Sequence, residues 1–164
     1  ELATDEVITQ VAEQIALLEG IAASSGGAVT HVKLHGALYH RALGDIELAQ
    51  ELADLIARLG HPPAVLAPAS GALAGAAREL KLRCAAEGFA DRAYGSDGLL
   101  VARDQPGSLL GAEEAVAQAL RLASDGEVIA NDGTVIPVDV ESICVHGDRP
   151  GAIELAGELR VALT

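Results

Sequence analysis

The sequence has no methionine and no tryptophan, and aromatic residues make up only 2% of its 164 positions. With so few rings, a platform for stacking bases or sugars is not expected, and the core must be built from Leu, Val, Ile and Ala. Because methionine is absent, Glu1 is not expected to be a natural translation start. We therefore expect a chain that is processed, truncated or only partly represented.

Positive charge is also scarce. The chain has 11 Lys and Arg against 24 Asp and Glu, and its formal net charge is −13. Such a chain is repelled by nucleic-acid backbones and by anionic membrane surfaces. The longest weakly polar stretch, residues 64–77, is short and is interrupted by proline and glycine, so it is not a membrane span. The sequence therefore predicts neither nucleic-acid nor membrane partners.

Several common motifs are missing as well. Cys84 and Cys144 are far apart and form no CxxC pair, which predicts two thiols in a cytoplasmic protein. The glycine-rich segments match neither GxxxxGK[ST] nor GxGxxG, and no GxSxG occurs. These absences argue against two common modes of nucleotide binding and against a serine nucleophile on a strand-to-helix elbow.

The residues that are present predict one α/β domain over residues 1–164. Half of them are hydrophobic, and a chain of this length can bury about 68–70% of its unfolded surface. Predicted helices cover 4–26 (capped by Thr4 or Asp5), 45–60 (opened by Asp45), 70–80 (capped by Ser70), 112–123 and 152–163; predicted strands cover 28–34, 64–67, 82–85, 128–130, 134–138 and 140–145, with a weaker signal at 99–102. The alternation favours a largely parallel sheet, either open or closed into a barrel, with a hairpin at Asn131-Asp132-Gly133.

Two predicted strands end in histidine followed by glycine, at His35 and His146. Ligands of parallel α/β folds meet the carboxyl ends of the strands, and glycine permits a tight turn there. Lys33 shares a strand face with His35, and Asp148 follows His146 closely. These four residues are therefore candidate site residues, and we expect them to line one pocket together with Asp91, Arg92 and Arg103.

Other interpretations of these strand ends stay open. Each histidine could be a hydrogen-bonded turn residue, and Asp148 could cap the last helix. His35, His146 and Asp148 could also bind a metal, although their spacing is not compact.

A third candidate region is the segment 87–94, which contains Asp91, Arg92 and Tyr94. Two of the three aromatic residues of the chain lie there, around an Asp-Arg pair, and Arg103 follows soon after. Lys33, Arg92 and Arg103 are cations in a very acidic chain, and they suit a substrate carboxylate or a phosphoryl group. A solvated loop with an internal ion pair is the alternative.

Four segments together resemble one known family. Residues 32–39 (VKLHGALY) resemble the VKPHGALY motif of the LamB/YcsF family, and 87–94 (EGFADRAY), 97–103 (DGLLVAR) and 142–148 (SICVHGD) resemble its later motifs in the same order. Leu34 stands where the family has proline, which restores a backbone donor, and His40 stands where it has asparagine. The resemblance covers essentially the whole chain.

The resemblance implies a fold: a parallel-stranded (β/α) barrel of the polysaccharide-deacetylase-like kind that lacks its N-terminal strands. Strands at the open edges would then have no neighbours, and exposed strand edges promote aggregation. We accordingly expect the 164-residue chain alone to be poorly soluble or oligomeric and to have no activity.

The resemblance also implies a function: one component of an ATP-dependent 5-oxoprolinase that opens 5-oxo-L-proline to L-glutamate with two partner subunits. ATP would be the co-substrate, and a divalent metal is assigned to no residue. Proton transfer would involve His35, Asp91, His146 and Asp148, and substrate binding would involve Lys33, Tyr39, Arg92, Tyr94 and Arg103. The alternatives are a carbohydrate-active or deacetylase-like metal-dependent hydrolase and a non-catalytic interaction subunit.

Overall fold

The computed structural model of the chain describes residues 2–68 and 70–164. The chain forms two compact units that meet in sequence between Ala85 and Ala86. The first unit contains α1 (Thr4–Ser24), β1 (His31–Lys33), α2 (Gly36–Gly44), α3 (Ile46–Ala57), β2 (Ala64–Ala67) and α4 (Ala72–Glu79). Strand β3 (Cys84–Phe89) begins in the first unit and ends in the second, which continues with α5 (Ala112–Asp125), β4 (Glu127–Ile129), β5 (Val135–Pro137), β6 (Ser142–Cys144) and α6 (Ala152–Ala162).

In the first unit, β1 and β2 are parallel. His31 lies opposite Ala64, and the register continues to Lys33 opposite Leu66. The N–H of Val65 donates to the carbonyl of Arg83 at 2.8 Å, so the segment that leads into β3 lies on the other side of β2. These parallel strands alternate with helices along the chain, which confirms the predicted α/β class.

The core of the first unit is centred on α3. Leu48, Leu52 and Ile56 recur every four residues on one helix face and are at most 1% exposed. Burial of each side chain contributes about 1.5–3 kcal/mol. The helix begins where predicted, because the Asp45 carboxylate accepts a hydrogen bond from the N–H of Leu48 at 3.1 Å.

In the second unit, β3 and β6 are parallel, with Phe89 opposite Cys144. Gly88 allows α5 to approach this sheet closely, since a Cβ atom there would lie 3.0–3.1 Å from side-chain atoms of Leu122 and Val140. The inner faces of α5 and α6 enclose a core of Ala90, Ala115, Ala119, Leu155 and Leu159. The carboxyl ends of β3 and β6 therefore rest on a rigid, close-packed support.

The predicted hairpin is confirmed: β4 and β5 are antiparallel, with Val128 opposite Ile136. Its turn depends on Gly133, which has a φ of +88°, and on Asp132, whose carboxylate accepts from the N–H of Thr134 at 3.0 Å. These contacts are the reason that the Asn-Asp-Gly sequence is a reliable turn signal here.

Two predicted helix caps are wrong. Helix α1 begins after Ala3, and the carboxylate of Glu6, rather than Thr4 or Asp5, accepts the Ala3 N–H at 3.2 Å. Helix α4 begins after Gly71 instead of Ser70, with no side-chain cap. In α1 the side-chain contact of the cap comes from Glu6, one turn into the helix, and in α4 no side chain caps the first turn.

Strand bounds also differ from the predicted ones. The segment 28–34 is paired only over β1, 82–85 becomes the longer and later β3, and 99–102 forms a single bridge between Leu100 and Tyr94 instead of a strand. Helix α2 was not predicted, because glycines at both of its ends (Gly36 and Gly44) resemble helix breakers. Gly36 in fact adopts a φ of +59° at the turn from β1 into α2.

Within residues 2–68 and 70–164, no helix has both the length and the apolar character that a membrane crossing requires.

Candidate functional site

The candidate residues fall into two sets. Asp91, Arg92, Tyr94, Arg103, His146 and Asp148 belong to the second unit, and Lys33, His35 and Tyr39 belong to the first. Their assembly into one pocket stays a prediction. Each set has its own geometry.

The centre of the second set is a contact between Asp91 and His146. Oδ1 of Asp91 lies 2.9 Å from Nδ1 of His146, and Oδ2 accepts the backbone N–H of His146 at 3.1 Å. The carboxyl group is fully buried, whereas the histidine side chain is 25% exposed. Since an ionised carboxylate only accepts hydrogen bonds, Nδ1 of His146 carries a proton, and in the neutral imidazole Nε2 then presents its lone pair.

The ring of His146 is also fixed from one face. Phe89, the last residue of β3, stacks on it with 5.9 Å between the ring centroids and 18° between the planes. The strand register that places Phe89 opposite Cys144 brings the histidine two residues further on to this position. A histidine held by a carboxylate and a ring face, with Nε2 open, has the geometry of a general acid or base.

Asp91 is a buried charge and needs compensation. Besides the two donors of His146, the guanidinium of Arg149 lies 4.0 Å from Oδ2 and is anchored by donation to the carbonyl of Leu110 at 2.8 Å. The sequence reasoning did not select Arg149. Because Arg149 lies directly before Pro150, the sequence indicated only a residue of the turn that leads to α6.

Gln118 of α5 is a second residue that sequence reasoning missed. It is 8% exposed, and its side-chain amide donates to the carbonyls of Phe89, Ala90 and Arg92. A polar residue in the apolar stripe of a helix is the signal that could have identified it.

Arg92 is buried among backbone carbonyls. It is 3% exposed, and its guanidinium donates to the carbonyls of Ser108 at 3.3 Å and Val101 at 2.7 Å. Burial lowers its pKa first, and the nearby charge of Arg103 lowers it further. These contacts fold the loop 92–108 around the arginine, and its role as an anion ligand stays a prediction.

Tyr94 is 4% exposed, and its hydroxyl oxygen accepts the backbone N–H of Phe89 at 2.9 Å. Burial raises the pKa of Tyr94 to about 12, so the hydroxyl stays protonated at physiological pH. The contact ties the loop to the end of β3, next to the ring that stacks on His146. Substrate binding by Tyr94 stays a prediction.

Arg103 and Asp148 form an ion pair near this centre. One guanidinium nitrogen lies 2.8 and 2.7 Å from the two carboxylate oxygens, and both side chains are about half exposed. The hydrogen bonds from Arg103 hold the pKa of Asp148 below its usual range. Helix α6 is capped at Gly151, so Asp148 is not its cap.

In the first unit, Lys33 and His35 line a cleft of about 400 Å³ between α1 and β1, together with apolar side chains that include Ile15, Leu18 and Val32. His35 is exposed and stands at the N-cap of α2 without using its ring as a cap. The ammonium of Lys33 lies 5.9 Å from the ring centroid of the buried Tyr39. A cation and a titratable ring therefore face one cavity.

Metal-binding geometry does not arise in the part of the chain that the structure describes. No group of three or more His, Cys, Asp or Glu side chains there is arranged to hold a metal ion. Within the second unit, His146 uses Nδ1 on Asp91, and the Asp148 carboxylate is paired with Arg103.

Comparisons with known proteins agree with the family resemblance of the sequence motifs. The family model described as LamB/YcsF family matches residues 1–164. The chain is 42% identical over 164 residues to the third 5-oxoprolinase A subunit of Pseudomonas syringae pv. tomato, covering 99% of the chain and 64% of that protein. It is 43% identical over 163 residues to the 5-oxoprolinase A subunit of Methylococcus capsulatus, covering 99% and 63%.

A solved structure has the same fold. The lactam utilization protein from Thermus thermophilus superposes with a TM-score of 0.90 at 35% identity, covering 99% of this chain and 65% of that one. The chain thus spans less than two thirds of the length of the relatives that it matches.

Proposed function

The chain belongs to the LamB/YcsF family, and from this we propose that its protein is the A subunit of an ATP-dependent 5-oxoprolinase. Relatives with that name are 42% and 43% identical to it over nearly its whole length. The observation that carries the proposal within the chain is the buried Asp91 carboxylate that orients His146 and leaves its Nε2 open.

The chemistry explains why such a histidine is needed. A five-membered lactam is a poor electrophile, and transfer of a phosphoryl group from ATP to its carbonyl oxygen activates the carbon. Water adds to that carbon, and protonation of the ring nitrogen lets the C–N bond break, which leaves an acyl phosphate. A second water then releases phosphate and L-glutamate. The reaction requires a base for water and an acid for nitrogen, and Nε2 of one histidine serves as both in turn.

Cations supply the remaining requirement, because the substrate carboxylate and the phosphoryl group are both anionic. Lys33 reaches its cleft beside an aromatic ring, and Arg103 is half exposed next to Asp148. Arg92, whose guanidinium is held by carbonyls, adds positive potential nearby. We propose that Lys33 and Arg103 bind anionic groups of the reactants, and that His35 and Asp148 assist proton transfer.

The proposal includes two partner subunits, ATP as co-substrate and a cytoplasmic location. The net charge of −13 favours docking to partners through complementary basic or apolar patches. Both cysteines, Cys84 and Cys144, are thiols rather than a disulfide, which is typical of a reducing compartment. We assign no step to a metal ion.

The test uses the natural-length protein together with its two partner subunits. ATP-dependent formation of L-glutamate from 5-oxo-L-proline is measured for the wild type, for His146→Ala and for the control His61→Ala, which changes an exposed histidine. We expect turnover to fall about 10²-fold or more in His146→Ala only, the usual effect of losing an acid–base group.

Three results would overturn the proposal. Absence of ATP-dependent glutamate formation in the wild-type complex would contradict the function, and metal-dependent hydrolysis of an acetylated sugar would replace it. Full turnover in His146→Ala within an intact complex would favour a non-catalytic interaction subunit.

A further inference from the structure

Gln118 lies on a buried face of α5 whose other residues are apolar. Ala115, Ala119 and Leu122 share its buried helix face, and Gln118 is itself 8% exposed. A buried amide costs stability unless it is hydrogen-bonded, so a glutamine here must be offset by its contacts.

Those contacts all go to one short segment of backbone. Nε2 of Gln118 lies 2.6 Å from the carbonyl oxygen of Phe89, 3.2 Å from that of Ala90 and 2.8 Å from that of Arg92. An amide nitrogen has two hydrogens, so at least one of them is shared between two carbonyls. The remaining carbonyl, that of Asp91, accepts the N–H of Leu110 at 3.1 Å.

Four successive carbonyls, from residue 89 to residue 92, are therefore each held by a donor. Asp91 lies within this segment, and its side chain is the one that contacts His146 at 2.9 and 3.1 Å. Both contacts require the carboxylate to keep one position, because a lateral shift of the backbone would lengthen at least one of them. Gln118 thus fixes the backbone on either side of the residue that orients the histidine.

We propose that Gln118 is a positioning residue, which sets the tautomer and orientation of the His146 ring through the backbone that carries Asp91. Only the activity readout rests on the proposed function, since the protonation of the ring can be measured directly. The chain of contacts runs from the α5 amide to the backbone of 89–92, then to the Asp91 carboxylate and finally to Nδ1 of His146.

The test compares Gln118→Leu with Leu122→Val in the natural-length protein. The first substitution replaces the amide with an apolar side chain that is one atom shorter and has no donor, and the second perturbs the buried face of the same helix without changing the donor. Nitrogen-15 spectra of the imidazole rings, recorded across pH, report the tautomer of each histidine. His61, which is exposed, provides the internal reference.

In the wild type and in Leu122→Val, we expect neutral His146 to carry its proton on Nδ1. In Gln118→Leu, its signals should move toward the tautomer mixture shown by His61. In the enzyme complex, kcat should fall about tenfold or more with little change in KM, and the pH profile should shift, whereas Leu122→Val should leave both unchanged.

An unaltered His146 tautomer in Gln118→Leu would overturn the proposal, as would an equal change in Leu122→Val. If Gln118→Leu does not fold, Gln118→Asn is read by the same criteria, because it withdraws the donor by one methylene without removing it. A complex without 5-oxoprolinase activity would defeat the proposed function alone, since the spectra still decide whether Gln118 controls the ring.

Discussion

The two oxygens of the Asp91 carboxylate accept two different hydrogens of His146, one from the ring and one from the backbone, at 2.9 and 3.1 Å. The Asp91 side chain therefore fixes both the backbone position of His146 and the orientation of its ring. Because an amide has one acceptor oxygen where a carboxylate has two, this relationship can be tested by an almost isosteric change.

We expect Asp91→Asn to reduce turnover of the complex about 10²-fold or more. With one acceptor for two donors, the amide oxygen binds the backbone N–H, and its NH₂ group then faces Nδ1 and forces the proton onto Nε2. The measurement is kcat across pH, with Asp104→Asn as a control at an exposed position of the same unit. Wild-type kcat in Asp91→Asn would show that turnover does not depend on a tautomer set by the carboxylate.

His35→Ala is expected to lower turnover by about 10²-fold while changing the free energy of unfolding by about 1 kcal/mol or less. The small stability effect follows from its exposure and from its unused ring at the N-cap of α2. Turnover and urea unfolding are both measured, and His40→Ala, which changes an exposed histidine within α2, is the control. A large loss of stability with unchanged turnover would make His35 a structural residue.

Tyr94→Phe tests the hydrogen bond between the Tyr94 hydroxyl and the backbone of Phe89, whose ring stacks on His146. Loss of the hydroxyl leaves the buried N–H of Phe89 without its acceptor, which should cost about 1–3 kcal/mol in the free energy of unfolding. Urea denaturation gives the value. Equal stability of the two proteins would mean that the N–H finds another acceptor.

Gly88→Ala and Gly157→Ala should have opposite effects on stability. A Cβ at Gly88 would lie 3.0–3.1 Å from Leu122 and Val140, so we expect a loss of about 1–3 kcal/mol from overpacking. Gly157 lies in α6 with nothing within 4 Å of the added carbon, so alanine there should gain roughly 0.5–1 kcal/mol through helix propensity. Thermal unfolding of both variants tests whether α5 approaches β3 this closely.

The Arg103–Asp148 pair predicts a specific dependence on pH. Its hydrogen bonds lower the pKa of Asp148 below the ordinary 3.8, so its contribution to stability is present above that pH and is lost as the pH falls through the lowered pKa. Arg103→Gln should return the carboxyl pKa toward 3.8, as measured by carbon-13 titration, with exposed Arg58→Gln as control. The melting temperatures of wild type and Arg103→Gln should differ more at about pH 6 than at about pH 3, and less in high salt. An unchanged Asp148 titration would contradict the pairing.

The elements that the sequence predicted best are those whose pattern is local. Leu48, Leu52 and Ile56 mark the buried face of α3 by their spacing alone, and the Asn131–Gly133 turn determines its hairpin within three residues. Helix α2 was not predicted, because Gly36 begins a helix only through its backbone conformation, a φ of +59°. The sequence pattern does not reveal that conformation.

The sequence selected Asp91 and His146 as separate candidates and did not predict the contact between them. Asp91 and His146 are 55 residues apart, and their contact depends on the register that sets Phe89 opposite Cys144. A shift of that register by one residue would point the side chains to the other face of the sheet, and no local signal determines it. Gln118 has a local signal, its place in the apolar stripe of α5, but its acceptors could not be predicted because they are backbone carbonyls, which every residue has.

The position of Gln118 also limits which insertions and deletions the chain can accept. The residue lies in the second turn of α5, after the helix start at Gly111, where the backbone N–H bonds to Glu114 at 2.8 Å. One residue inserted between Gly111 and Gln118 would rotate the amide by roughly 100° about the helix axis and away from all three carbonyls. We therefore expect insertions to be tolerated in the loop before Gly111 but not between Gly111 and Gln118, because the length of this part of α5 sets where the amide meets the segment that carries Asp91.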